Sequence, residues 1–258
     1  MEGTVISAAE AAEFGEFKRS RREAEAALTI KKLILDASRR ETDRRILKYA
    51  CEHAIKLGAC AVLVSPVNVT ASRRALAGSE TYVAALVGGT GESLIATKKS
   101  EAKKAMKQGA KEIRLVLCYS ALMGGNASYL KREIKKIRRA VKKCKLVISL
   151  EDHSLGTEEI ARGIKAAMDG RADGICIRGE TKLVLDAVRY SLGRLEIDVS
   201  GVENGEQLRL LFKAGAMRAT TLFGEQIASD LYAAAQSDGL AAQNIVYPAP
   251  QAQQNERK

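Results

Sequence analysis

Long apolar runs are absent from this chain. No stretch approaches eighteen uninterrupted apolar residues, so the sequence predicts no membrane-spanning helix. The chain begins Met1-Glu2-Gly3, with neither a basic start nor an apolar segment behind it, and this predicts no secretory signal. Both absences favour a cytoplasmic protein that does not contact a membrane.

Cysteine and histidine are scarce and poorly spaced for cross-linking or metal binding. The cysteines are odd in number and form no Cys-x-x-Cys pair, which favours reduced thiols in a cytosolic protein over a disulfide framework. The two histidines, His53 and His153, lie far apart without ligand spacing, so we predict no metal site and no other cofactor. The cysteines are Cys51, Cys60, Cys118, Cys144 and Cys176.

Aromatic residues make up only 4% of the chain, whereas basic residues are in excess. The 42 lysines and arginines outnumber the 31 acidic residues and give a formal net charge of +11. This charge raises the expectation of an acidic protein partner or nucleic acid, although it says nothing about the fold. Few aromatics accompany the charges, so base stacking is not indicated and nucleic acid is the less favoured partner.

Short apolar runs alternate along the chain with longer segments of helical period. This alternation predicts a parallel sheet with crossover helices, and eight strands in about 258 residues predict a single (β/α)₈ TIM barrel. The predicted strands are 33–37, 59–65, 82–87, 113–118, 146–150, 174–177, 195–199 and 219–222. We divide the chain into an N-terminal helical extension (1–25), the barrel (26–234) and a flexible C-terminal tail (235–258).

Helix ends can also be predicted from local signals. Thr42 is a plausible N-cap for a helix over 43–57, and Thr157 marks another helix start. Several glycines follow helical segments, where a left-handed C-cap favours glycine. These glycines are Gly58, Gly109, Gly170 and Gly215.

In a (β/α)₈ barrel the catalytic groups lie at the C-terminal ends of the strands. No lysine lies in the C-terminal half of any predicted strand. Glu151 follows the fifth strand and is the best candidate for an inward functional group, because a carboxylate there can serve as general acid or base. The sixth strand carries Cys176 at the corresponding end.

Several segments carry a family resemblance in their order and spacing. They are Leu35-Asp36-Ala37-Ser38, Val64-Ser65-Pro66, 109–114 with 121–126, Leu150-Glu151, and Gly215-Ala216-Met217-Arg218. Over roughly residues 27–234 the chain resembles deoxyribose-phosphate aldolase. The resemblance implies Schiff-base chemistry, in which a lysine on the sixth strand attacks the aldehyde, a lysine on the seventh lowers its pKa and an aspartate on the fourth assists proton transfer.

Carried over residue by residue, these three positions are Cys176, Asp198 and Arg114. A thiol adds reversibly to an aldehyde, but the hemithioacetal has no protonatable nitrogen and cannot act as an iminium electron sink. The acid and base of strands four and seven are exchanged, which favours a direct Arg114–Asp198 pair, because an isolated buried charge is costly. An Arg114–Glu151 pair is the competing arrangement.

The candidate ligand-binding groups are Asp36, Ser200 and Gly201, which the resemblance implies, and Arg178, which follows the sixth strand. Barrels of this kind bind phosphate through the loops after strands seven and eight. Leu222 and Phe223 follow the eighth strand, and such bulky apolar groups would crowd a phosphate. A phosphosugar is therefore less favoured than the family implies, although Arg178 could replace the lost donors.

The segment 130–143 predicts an amphipathic helix with a strongly basic outer side. The preceding helix carries Lys98, Lys99, Lys103, Lys104 and Lys107, so the two could form one broad basic surface. A solvated surface is the simplest interpretation, and an acidic protein, nucleic acid or another anionic surface is the alternative. The basic residues of 130–143 are Lys131, Arg132, Lys135, Lys136, Arg138, Arg139, Lys142 and Lys143.

These observations lead to one hypothesis and two alternatives. The first is an aldolase-like barrel of carbohydrate metabolism that has lost Schiff-base chemistry and acts by binding a small carbonyl or sugar-derived ligand, or a protein. The second is an active aldehyde-lyase that uses a displaced lysine, with Lys182 the nearest candidate. The third is an anion- or nucleic-acid-binding protein that uses the basic surface. The family resemblance also implies a homodimer.

Overall fold

The computed structural model describes residues 8–243 and confirms the predicted barrel. Eight strands form a closed parallel sheet in which each strand pairs with the next along the chain and the last pairs with the first. The strands are β1 Leu33–Ala37, β2 Ala61–Val64, β3 Tyr82–Val87, β4 Glu112–Val116, β5 Lys145–Leu150, β6 Gly174–Arg178, β7 Glu196–Ser200 and β8 Arg218–Thr221.

All eight predicted strands are present, two of them with the predicted bounds and the others shifted by one or two residues at their ends. The strands are apolar along most of their length because both faces of each strand are covered, one by the helices and one by the barrel interior. Leu33 and Leu35 of β1, for example, are buried in the large core that joins sheet and helices.

Helices surround the barrel and connect the strands. Among the described residues they are α1 Ala8–Ile30, α2 Arg44–Leu57, α3 Val69–Ala75, α4 Ile95–Gln108, α5 Tyr119–Met123, α6 Ala127–Ala140, α7 Thr157–Gly170, α8 Thr181–Ser191, α9 Gly205–Lys213 and α10 Gly224–Gln243, with a 3₁₀ helix at Pro66–Asn68. Within 8–243, none of them is both long enough and apolar enough to cross a membrane.

Two of the predicted helix caps are wrong. The N-cap of α2 is Asp43 and not Thr42, because the Asp43 carboxylate accepts hydrogen bonds from the backbone N–H groups of Arg45 (2.7 Å) and Ile46 (2.9 Å). The left-handed residue after α7 is Arg171 and not Gly170. Gly170 is instead the last helical residue, and a Cβ there would lie 2.4 Å from the Ile134 side chain, so glycine serves close packing.

Helices run across the predicted domain boundaries at both ends, and the division of the chain into domains stays a prediction. Helix α1 continues to Ile30, and its residues Ala26 and Ile30 are buried in the core, so the extension runs directly into the barrel. Helix α1 packs against α10. Helix α10 continues to Gln243, past the predicted start of the tail at residue 235. The rest of the predicted tail lies outside the described residues.

Side chains that point into the barrel divide it into two halves. From β1 to β3 they form a separate apolar cluster, Ile34, Ala61, Leu63 and Ala84. In the other half, β4, β7 and β8 carry charged groups at inward positions, whereas β5 and β6 carry the uncharged Ser149 and Cys176. Because strand residues alternate between the two faces, a charged residue two positions from another on the same strand also points inward.

Candidate functional site

Four charged side chains form a closed cluster inside the barrel, here called the charged quartet: Glu112, Arg114, Asp198 and Arg218. Strand β4 supplies Glu112 and Arg114, two residues apart, while Asp198 and Arg218 are register partners on β7 and β8. Glu112 and Arg114 are fully buried, and Asp198 is 1% exposed. Arg218 is 9% exposed.

Each carboxylate of the quartet contacts both guanidinium groups. Arg114 donates from Nε to Glu112 (3.0 Å) and from Nη2 to Asp198 (3.2 Å). Arg218 donates from Nη1 to Glu112 (2.6 Å), from Nε to Asp198 (3.0 Å) and from Nη2 to the same carboxylate (2.5 Å). The two positive and two negative charges therefore compensate one another away from water.

Neutral side chains occupy the remaining donor and acceptor positions around the quartet. Tyr82 donates to Glu112 (3.0 Å) and accepts from Arg218 (2.6 Å), while Arg114 also donates to the Thr220 hydroxyl (2.8 Å). Burial, and then the negative charge of Glu112, raise the pKa of Tyr82, so the phenol keeps its proton. The quartet is thus fully hydrogen-bonded, as a buried polar network must be.

The predicted Arg114–Asp198 pair is confirmed at 3.2 Å. Glu151, the competing partner, accepts instead from the Ser149 hydroxyl (2.8 Å). Sequence reasoning assigned no role to Glu112, Arg218 or Tyr82. Two sequence signals could have indicated Glu112 and Arg218. Glu112 lies two positions before Arg114, and Arg218 lies in one of the segments that carry the family resemblance.

Cys176 lies against this cluster in the interior and is fully buried. Its Sγ accepts a hydrogen bond from Nη1 of Arg114 at 3.1 Å. Burial raises the pKa of the Cys176 thiol well above its ordinary value, and the neighbouring Glu151 carboxylate, which also hydrogen-bonds the thiol, adds to this effect. The thiol is therefore protonated, whereas nucleophilic attack requires a thiolate.

A cleft of about 750 Å³ opens at the C-terminal ends of β1 to β5. Its lining carries three carboxylates, several hydroxyls and a few apolar side chains, but no lysine or arginine among the described residues. The lining residues are Asp36, Ser38, Leu63, Leu86, Gly89, Thr90, Val116, Tyr119, Ser149, Glu151, Asp152, His153 and Ser154.

Hydroxyl and backbone N–H donors hold the carboxylates of the cleft. Asp36 accepts from the N–H and hydroxyl of Ser38 at 2.9 and 2.7 Å. Asp152 accepts from the hydroxyl and N–H of Ser154 at 2.6 and 2.8 Å, and these bonds lower the pKa of Asp152. Burial, followed by the charge of Asp152, raises the pKa of Tyr119. The cleft thus presents carboxylate acceptors beside hydroxyl groups.

The predicted ligand-binding residues do not all meet in this cleft. Asp36 and Glu151 line it, whereas Arg178, Ser200 and Gly201 are not among the lining residues. Arg178 donates to the carbonyl of Asp152 (2.5 Å) and to Glu180 (2.8 Å), so its guanidinium holds the loop after β5. Leu222 and Phe223 lie after β8 and are about half exposed.

Two lysines bear on the possibility of amine chemistry. Lys182, the predicted displaced nucleophile, is exposed in the first turn of α8 and does not line the cleft. Lys98, which the sequence placed on the basic surface, is fully buried: its Nζ donates to Glu133 (2.5 Å) and to the carbonyl of Val116 (2.9 Å). Its assignment to the basic surface is therefore wrong, because α6 supplies a buried carboxylate that local sequence does not reveal.

The basic surface of α6 is present, with two differences from the prediction. Arg138 pairs with Asp173 (2.6 Å) and donates to the carbonyls of Val141 and Cys144, so it fastens the end of the helix to the barrel. Helix α6 ends at Ala140, and Lys142 and Lys143 lie exposed beyond it. The remaining cations of the prediction, Lys131, Arg132, Lys135, Lys136 and Arg139, lie on the helix itself.

A closed (β/α)₈ barrel with a polar cleft at the C-terminal ends of its strands defines the class of TIM-barrel proteins. No family model matches the chain. The deoxyribose-phosphate aldolase of Caldicellulosiruptor saccharolyticus is 31% identical over 196 residues, which cover 71% of this chain and 89% of the relative. That of Brevibacillus brevis is 29% identical over 72% of this chain and 89% of the relative.

Among solved structures, the tetrameric deoxyribose phosphate aldolase of Aeropyrum pernix superposes with a TM-score of 0.70 at 16% identity, covering 87% of this chain and 97% of that one. The chain belongs to the deoxyribose-phosphate aldolase family. The homodimer implied by the family resemblance stays a prediction.

Proposed function

We propose that this barrel binds a small, unphosphorylated, sugar-derived carbonyl compound in its cleft and does not perform Schiff-base aldol chemistry. The observation that carries the proposal is the environment of Cys176, which occupies the position that the resemblance assigns to the reactive lysine. It is fully buried against Arg114, and no described lysine lines the cleft.

Imine formation needs a neutral amine within reach of the carbonyl carbon, and the iminium that results is what accepts electrons as the carbon–carbon bond breaks. The Cys176 thiol has no such nitrogen. Its pKa is raised by burial and by Glu151, so it is also a poor nucleophile. The amine of Lys98 is held by Glu133 and by the carbonyl of Val116, and it does not line the cleft.

The charge of the cleft supports an unphosphorylated ligand. Asp36, Glu151 and Asp152 all line it together with His153, and no lysine or arginine lines it among the described residues. A phosphate dianion would be repelled by these carboxylates, because like charges in a partly buried site repel more strongly than in bulk water. Carboxylates and hydroxyls instead suit the hydroxyl groups of a small sugar, which donate and accept hydrogen bonds.

The first experiment tests the chemistry. The protein is incubated with acetaldehyde or with deoxyribose 5-phosphate, reduced with borohydride and examined by peptide mass spectrometry. We expect no stoichiometric lysine adduct. Because the relatives named above are aldolases, an adduct at Lys182 that disappears in Lys182→Arg would overturn the loss of Schiff-base chemistry and establish an active lyase.

The second experiment tests the ligand class. Titration calorimetry compares 2-deoxyribose with deoxyribose 5-phosphate on the parent protein and on Glu151→Gln. We expect the unphosphorylated sugar to bind at least about tenfold more tightly, and Glu151→Gln to narrow this difference by removing one negative charge. Glu206→Gln changes an exposed acid on α9 outside the cleft and should leave the difference unchanged. Tighter binding of the phosphorylated sugar would refute an unphosphorylated ligand.

A further inference from the structure

A groove on the outer surface of the barrel carries a second binding feature that is separate from the cleft. It lies between α4 and α6, has a volume of about 570 Å³ and is called here the α4–α6 groove. Four exposed cations line it, two from each helix: Lys99 and Lys103 from α4, and Lys136 and Arg139 from α6. Three apolar residues complete the lining: Ile95, Ala96 and Ala140.

The cations of the groove are not neutralised by the helices that carry them. Each of the two helices has one acidic residue, and both of these carboxylates are engaged elsewhere. Glu133 is fully buried and paired with Lys98 at 2.5 Å, while Glu101 accepts from the N–H of Gly88 at 2.9 Å. Within the described part of the chain, no carboxylate lies within ion-pair distance of the four groove cations.

Such an arrangement works against the stability of both helices. Lys99 and Lys103 are four residues apart on α4, and Lys136 and Arg139 are three apart on α6, spacings at which like charges repel. An anionic partner that enters the groove would relieve this repulsion, because its charges would face four cations at once.

The apolar part of the lining indicates which kind of polyanion fits. Nucleic-acid surfaces usually combine cations with hydroxyl or amide donors, or with aromatic residues that stack on bases. The lining has neither. Ile95 and Ala140 are half-buried between the cationic rims, and the neighbouring Leu94 is 75% exposed. A groove between two helices with apolar contacts inside and charges outside suits an amphipathic helix.

We infer that the α4–α6 groove is a docking site for an acidic, amphipathic helical segment of a partner protein. The apolar side of the segment contacts Ile95, Ala96 and Ala140, and its carboxylates face the four cations. This inference concerns the outer surface and is independent of the ligand in the cleft.

The test uses a fluorescein-labelled synthetic peptide in which leucine recurs every three or four positions and the other positions are glutamate or alanine. Binding is measured by fluorescence anisotropy at low salt. The groove variant combines Lys99→Glu, Lys103→Glu, Lys136→Glu and Arg139→Glu. We expect it to bind the peptide at least about tenfold more weakly than the parent, and we expect parental binding to weaken with added salt as screening shortens the range of the charges.

A matched control carries the same change of charge on the far side of the barrel. It combines Arg189→Glu, Arg194→Glu, Arg209→Glu and Lys213→Glu, four exposed cations on and near α8 and α9. The control should change the affinity less than about twofold. Equal weakening of peptide binding in the two variants would show that net charge alone attracts the peptide and would overturn the inferred docking site. Undetectable binding of the peptide to the parent protein would also overturn it.

Two further measurements separate the alternatives. A peptide with serine in place of leucine should bind at least about tenfold more weakly, and equal binding would refute the apolar contact. The second measurement uses a labelled uridine oligonucleotide. If it binds the parent more tightly than the peptide does and loses its affinity in the groove variant, the groove is a nucleic-acid site instead. If the fourfold variant does not fold, as judged by circular dichroism, the double variant Lys99→Gln/Arg139→Gln replaces it and should weaken peptide binding about threefold. An unchanged affinity of the double variant would overturn the inference.

Discussion

Between β1 and β3 the buried inward side chains form an aliphatic cluster, with Asp36 at the cleft and Tyr82 beside the quartet as polar exceptions. Between β4 and β8 the inward side chains include the charged quartet. Ile34 and Ala84 represent the first half and need only to exclude water and fill space. Arg114 and Asp198 represent the second, and each needs particular partners at hydrogen-bonding distance. The first half is stabilised by burial of apolar surface, which does not depend on the direction of the contacts. The second half is stabilised by ion pairs between opposite charges, and removing one partner leaves the other uncompensated.

The largest effect is expected from Arg114→Ala, because it leaves two buried carboxylates with the single guanidinium of Arg218. Breaking a buried ion pair in this way typically costs about 3–5 kcal/mol. The free energy of unfolding, measured by urea denaturation, should fall by about this amount. A loss below about 1 kcal/mol would contradict the view that the charged half depends on its partners.

A double-mutant cycle sharpens this prediction. Asp198→Ala alone should also destabilise the protein, and the double variant should lose less than the sum of the two single losses, with a coupling of about 1–3 kcal/mol. The exposed pair Lys131–Asp169, at 3.6 Å, is the matched control and should show a coupling below about 1 kcal/mol. Additive losses at Arg114 and Asp198 would mean that their contact contributes nothing.

The second prediction concerns acid, which should affect the charged quartet and not the apolar cluster of β1 to β3. Burial opposes ionisation of Glu112, but Arg114 and Arg218 outweigh it and lower the pKa of this carboxyl from 4.5 to about 2. A lowered pKa in the folded state means that the stabilisation is complete above about pH 4.5 and is lost as the pH falls through about 2. This contribution is on the order of 3 kcal/mol.

The measurement compares the parent with Glu112→Gln by denaturant unfolding between neutral pH and pH 2. Burial raises the pKa of Asp198 despite the nearby Arg114, and the stability linked to this shift is lost as the pH rises. The contribution of Glu112 is therefore the difference in unfolding free energy between the parent and Glu112→Gln at each pH. The advantage of the parent over the variant should shrink as the pH falls. An advantage that is constant with pH would refute this assignment.

The smallest effect is expected in the apolar half. Ile34→Val removes one methyl group from a fully buried side chain and should cost about 1 kcal/mol, because the aliphatic neighbours lose contacts but no group is left without a partner. Its cost should also be independent of pH. A loss as large as that of Arg114→Ala would remove the distinction between the two halves.

Some elements of the site could be predicted because their signals are local. The exchange of acid and base at Arg114 and Asp198 pointed to a pair, since two isolated buried charges would be too costly. Glu112 was missed because its partner Arg218 lies on β8, far away in sequence and beside it only in the closed barrel. The position of Lys98 was missed for the same reason, since Glu133 reaches it from another helix.

The amino-acid sequence by itself determined the strand order, the alternation of inward and outward residues and the absence of lysine from the C-terminal halves of the predicted strands, because each depends on residues adjacent in the chain or on fixed periodicities. Only the tertiary structure decided that four charges from β4, β7 and β8 neutralise one another and that carboxylates, without lysine or arginine, line the cleft. Barrel closure brings these groups together, and an electrostatic interaction depends on distance in space, not on separation along the chain.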